Sequence, residues 1–105
     1  MKCIDIYIFQ AGLNVLYPFT FMQKAYNFGI KGFVIQKKND LFIEAEGEEK
    51  DLDKFIEYCE RCQFTVLDDY VEIEEVEVKN YTSFEIIEKE SDLPNPIKFK
   101  EKKED

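Results

Sequence analysis

The sequence predicts an α+β sandwich: a four-stranded antiparallel sheet with two helices on one face, in the order β-α-β-β-α-β plus a short extra strand. Three observations predict it. Runs of alternating apolar and polar residues, rich in Ile and Val, recur along the chain. Two stretches between them carry apolar residues at helical spacing instead. Each of those stretches has a single apolar face, which needs a sheet to cover it.

The elements follow in order. From Cys3 to Phe9 the chain alternates, with Ile4, Ile6 and Ile8 on one face and Cys3, Asp5, Tyr7 and Phe9 on the other. Period two with β-branched residues means a strand. Gln10 to Tyr17 reads as a loop. Pro18 suits the first turn of a helix, where its missing N–H is no loss. Phe21, Ala25 and Phe28 recur at i, i+4 and i+7, and Gly29 ends the helix. Lys31 to Gln36 and Leu41 to Glu46 form a hairpin around a polar turn. Gly47 and the acidic Glu48, Glu49 and Asp51 open a second helix, where negative charge favours the N-terminus. Leu52, Phe55, Ile56, Cys59 and Cys62 line one face of it. A fourth strand spans Tyr70 to Lys79. Its alternation slips at Glu74-Glu75, which predicts a bulge or a bend there. Ser83 to Ile87 forms the extra strand. From Glu88 onward Pro94, Pro96 and a mixed-charge run change the character of the chain. The expected division is a folded domain over 1–88 and a flexible charged tail over 89–105.

Composition narrows the function. The 105 residues suffice for one domain and are 45% hydrophobic, enough for a real core. The net charge of −9 disfavours a nucleic-acid partner, because phosphodiester backbones are repelled. It also opposes small phosphorylated ligands unless a local cation offsets it. The chain has no histidine, and Arg61 is its single arginine. Ser–His–Asp chemistry and histidine metal sites are therefore excluded. The three cysteines, Cys3, Cys59 and Cys62, leave one unpaired in any scheme, which fits a reducing compartment. No run approaches the ~20 apolar residues of a membrane span, and Asp5 breaks the first apolar run before it could serve as a signal. These features read as a cytoplasmic protein without cofactor or metal.

Several motifs resemble those of the acylphosphatase family. Phe28-Gly29-Ile30-Lys31-Gly32-Phe33-Val34 stands where that family has LGLxGWV. Ala45-Glu46-Gly47 stands at its AEG, and Val71 to Val78 and Phe84-Glu85-Ile86 are similar to its last strands. The resemblance spans about residues 3 to 87 and implies a ferredoxin-like fold. It also implies a phosphate-cradling loop, Gly12-Leu13-Asn14-Val15-Leu16-Tyr17, in the place of the family's GxVQGVGFR.

The departures fall where the family's chemistry sits. Pro18 occupies the place of the catalytic arginine, and Gln36 that of the catalytic asparagine. Hydrolysis of an acyl phosphate needs charge stabilisation on the phosphoryl oxygens and a positioned water. Arginine meets the first need with a bidentate fork; proline has neither charge nor N–H. The expectation is therefore a domain that has lost catalysis and serves as a binding or protein-interaction module. The alternative is an acylphosphatase with an altered site around Gly12–Pro18 and Gln36.

Lesser candidates stand beside these. Lys24, Lys31, Lys37 and Lys38 are possible substitute cations. Asn14 could keep part of an anion-binding nest. Cys59 and Cys62 form a CxxC, half a zinc site at best, and pack more simply as small apolar residues. The outer sheet face should expose Tyr7, Phe9 and Phe42 beside Glu44, an aromatic surface suited to a protein partner or self-association.

Overall fold

The computed structural model describes residues 1–9, 17–37, 40–61 and 71–94. Strand β1 is Lys2–Ile8, helix α1 is Tyr17–Phe28, β2 is Lys31–Lys37, β3 is Asp40–Gly47, helix α2 is Glu49–Arg61, β4 is Val71–Val76 and β5 is Phe84–Ile87. They form a five-stranded sheet in the order β4-β1-β3-β2-β5. The first four strands pair antiparallel, as expected, and β5 adds a parallel strand outside β2. No described helix is long and apolar enough to cross a membrane.

The helix-side core follows the predicted faces. Ile4, Ile6 and Ile8 of β1 pack with Val34, Leu41 and Ile43 beneath Phe21 and Ala25 of α1 and Leu52, Phe55 and Cys59 of α2. The Phe21 ring meets those of Phe55 and Tyr58 edge-on, which locks the two helices together. Gly29, with φ of +70°, ends α1 in a conformation that disfavours a side chain.

The bulge expected at Glu74-Glu75 is absent: β4 pairs with β1 without a break from Cys3↔Val76 to Ile8↔Val71. Val71 and Ile73 lie on the helix face, opposite Ile8 and Ile6, while Val76 lies on the other face, opposite Cys3. An edge strand tolerates this slip because its helix face is thinly covered; Ile73 is still 41% exposed. The strand stops at Val76 because its partner β1 begins at Lys2.

The outer face also differs from expectation. Tyr7, Phe9 and Phe42 are not exposed; they are 6%, 3% and 2% accessible, and Glu44 is 2%. With Phe33 and Ile35 they form a second core, covered by Tyr81, Ile87 and Leu93. The link between β4 and β5 and the chain after β5 lie over this face. Alternation reveals which side chains share a face, but not what lies over it. Residues 89–94, assigned to the tail, belong to this cover. Glu90–Asp92 form one 3-10 turn, Glu90 pairs with Lys37 at 2.8 Å, and Leu93 packs on the aromatic cluster.

Candidate functional site

Ile8, Leu41 and Gln36 form one row across β1, β3 and β2, on the helix side of the sheet. Strand spacing puts Gln36 about 10 Å from the end of β1. Helix α1 must begin at this same end. Its twelve residues span about 18 Å, and Lys31, just after it, starts β2 at the far end, opposite Glu46. The fold therefore gathers the exit of β1, the first turn of α1 and Gln36. Tyr17 packs against the core there, and Pro18 is buried in the first turn. The loop candidates Gly12, Leu13, Asn14, Val15 and Leu16 lie outside the described residues, as does Lys38.

Of the described candidate cations, Lys37 and Arg61 are in exposed ion pairs, Lys24 lies against a ring and Lys31 lies at the far end. Lys37 closes β2 at the right end but pairs with Glu90. Lys24 lies over the Tyr58 ring, 5.1 Å from its centroid. Lys31 sits at the far end of β2. Arg61, 79% exposed, pairs with Glu57 one helical turn back at 2.8 Å. Cys3 is buried on the outer face of the sheet, opposite Glu46, and Cys59 in the helix-side core on the other face, so Cys3 cannot complete a metal site with Cys59. Cys62 lies outside the described residues.

A second constellation, not anticipated from the sequence, occupies the outer face. Glu46 is 1% exposed. Its carboxylate accepts the backbone N–H groups of Lys79 at 2.6 Å, Asn80 at 3.1 Å and Tyr81 at 2.7 Å. Asn80, at φ +59°, lets successive amides converge on one anion. Glu44 accepts from Lys79 Nζ at 2.7 Å and from the Tyr81 hydroxyl. The segment from Lys79 to Tyr81 is thus bound down at both its backbone and its side chains. Only Asn80, an αL-tolerant residue just beyond a strand, hinted at this in the sequence.

Asp5 stands beside this clamp, across from Glu44 on β3 and Glu74 on β4. Its Oδ1 is buried without a hydrogen-bond partner. Burial, then a hydrogen bond with Glu44 and that group's charge, push its carboxyl up to about 7, against the opposing pull of Lys79. Burial, with the Glu44 charge behind it, pushes the Cys3 thiol up to about 12. For Lys79, burial works against the charged form, but the hydrogen bond and charge of Glu44 outweigh it and raise its pKa.

The acylphosphatase family model matches residues 14–86. The chain belongs to the acylphosphatase family. Among solved structures, this acylphosphatase-family domain is similar to full-length HypF in its phosphate- and nucleotide-bound form, with 31% identity and a TM-score of 0.70. That match covers 82% of this chain and 12% of HypF, so the domain spans a small part of that protein. It is also similar to the acylphosphatase of Bacillus subtilis, with 21% identity, a TM-score of 0.73, and 83% and 99% of the two chains covered. The acylphosphatase of Coxiella burnetii gives 22% identity, a TM-score of 0.73, and 82% and 92% coverage. These last two likenesses establish the fold. None of the curated proteins compared matches the chain.

Proposed function

We propose that this domain no longer hydrolyses acyl phosphates and acts as a binding or protein-interaction module of the acylphosphatase family. The observation that carries the reading is Pro18, which is buried in the first turn of α1 and which the sequence resemblance aligns with the family's arginine. A phosphoryl group at the mouth of that loop would meet no guanidinium fork, in a chain of net charge −9. Lys37 and Arg61 each pair with a glutamate, which competes with any role as a substitute. Losing one preorganised charge-stabilising group typically lowers a rate about 100- to 1000-fold.

The higher identity to part of HypF, 31% against 21% and 22% for the two acylphosphatases, supports an accessory role beside a larger enzyme. Its partner would meet the exposed apolar side chains, Phe19 and Tyr26 on α1, rather than the covered aromatic face. The odd cysteine count supports residence in a reducing cytoplasm.

Family membership favours a second reading, acyl-phosphate hydrolysis through an altered site with Gln36 orienting the water. Turnover of benzoyl phosphate by the purified chain, beside the Bacillus subtilis enzyme, separates the two. The proposal expects no loss of substrate beyond the buffer rate. A rate within about tenfold of the comparison enzyme would establish hydrolysis instead.

A further inference from the structure

We propose that Asp5 and Glu44 share one proton, and that this proton latches the segment Lys79–Tyr81 over the outer face of the sheet. The register and the partners of the two carboxyls assign the proton. Two carboxylates facing each other in register across β1 and β3 can hydrogen-bond only if one of them is protonated. Glu44 already accepts from an ammonium, Lys79 Nζ, and from the Tyr81 hydroxyl, so it holds the negative charge. Asp5 has an orphaned buried oxygen and no cation of its own; it holds the proton.

The groups facing Asp5 come from every element around it. Glu44 lies on β3, Glu74 on β4 and Lys79 on the link, with Cys3 and Tyr7 on its own strand. Lys79 is the single cation among them. Ionising Asp5 places a second negative charge against Glu44 and a third group of that sign, Glu74, beside it. The strands themselves are held together around Asp5, because β1 is paired from Cys3 to Ile8 on both sides. Relief comes from admitting more water to the pair, and the strap from Lys79 to Tyr81 is what sits on the Glu44 carboxylate.

That strap covers Phe33 directly, the Tyr81 ring meeting it edge-on. Opening it uncovers the aromatic cluster of Tyr7, Phe33 and Phe42. The latch is therefore a proton-operated cover: closed while Asp5 is protonated, loosened once it is ionised.

Hydrogen exchange at the amides of Lys79, Asn80 and Tyr81, corrected for intrinsic exchange rates, reads the latch. Protection should fall by about tenfold or more between pH 5.5 and pH 8, as expected if opening releases Asp5 toward an ordinary carboxyl. In the Asp5→Asn variant the side-chain amide donates to Glu44 as the protonated acid does, and the fall should vanish. A fall that persists in this variant, or none in the parent chain, overturns the proposal. Should the variant fail to fold, a carboxyl carbon-13 titration of Asp5 in the parent chain decides: a midpoint near 7 supports the latch, and one below about 5 overturns it.

Discussion

The Glu46 carboxylate accepts the Tyr81 backbone amide at 2.7 Å, joining points 35 residues apart in the chain. The same carboxylate holds the amides of Lys79 and Asn80. Glu46→Ala leaves these donors without their acceptor beneath the sheet. Lys79 and Tyr81 are half-buried and Asn80 is exposed, so water makes good part of the loss; at about 1–3 kcal/mol for each buried, unsatisfied group, stability should fall by roughly 2–3 kcal/mol, read as a lower urea midpoint. Glu46→Gln should recover part of it, since its carbonyl oxygen still accepts. An unchanged midpoint for the alanine variant would mean that this anchoring contributes nothing.

Gly32 and Gly29 should respond differently to alanine. At Gly32, φ is +134° and an added Cβ would lie 1.8 Å from the Glu44 carbonyl oxygen. The backbone of β3 would have to move, at a cost of roughly 3 kcal/mol or more. At Gly29, φ is +70° with open space around it, so the cost is conformational, about 1–2 kcal/mol. Equal losses in the two variants would contradict the close approach of β2 and β3.

Thiol reactivity tests the two cores. Cys3 is 0% and Cys59 1% exposed, and the Cys3 thiol is pushed up to about 12. Only thiolate reacts quickly with a disulfide reagent. In the native protein at pH 8 no more than one of the three thiols should react fast, and all three after denaturation. Two fast native thiols would place Cys3 or Cys59 at the surface.

Global stability should carry the signature of Asp5. Folded, its carboxyl keeps a proton up to about pH 7; unfolded, it loses it near the ordinary 3.8. Between those values folding takes up a proton, so this contribution to stability declines as pH rises. After allowance for partial solvent access, the decline is about 1–2 kcal/mol. Glu49, held below its ordinary value by the hydrogen bond and charge of Lys2, slopes the other way. The parent chain minus Asp5→Asn isolates the Asp5 part. A difference that is flat from pH 4 to 8 would contradict the assignment.

Much of the fold was readable from side-chain periodicity. Ile4, Ile6 and Ile8 share the helix-side core, and Leu52, Phe55 and Cys59 fix the face of α2, as their spacing requires. The covered outer face was not readable. Tyr7 and Phe42 sit on the same side as Asp5, Glu44 and Glu46, a mixture that looks like a wet surface. It becomes a core only because distant residues, Tyr81, Ile87 and Leu93, close over it. The buried charges escaped for the same reason: their partners are backbone amides and a lysine more than thirty residues away. At the candidate site, the helix start at Pro18 and the strand carrying Gln36 were legible, because local patterns mark both elements.

The most direct test of the central claim is an amide-resolved titration with inorganic phosphate. The claim is that no cation at the mouth of the first loop holds a phosphoryl group. Ionic strength must be held constant, since exposed charges respond to salt alone. The account predicts no saturable shift at the amides of residues 10–17 or at the Gln36 side chain up to tens of millimolar, roughly ten-thousand-fold above a micromolar site. Saturable shifts of those signals at about 1 mM, accompanied by a lysine side chain, would contradict it.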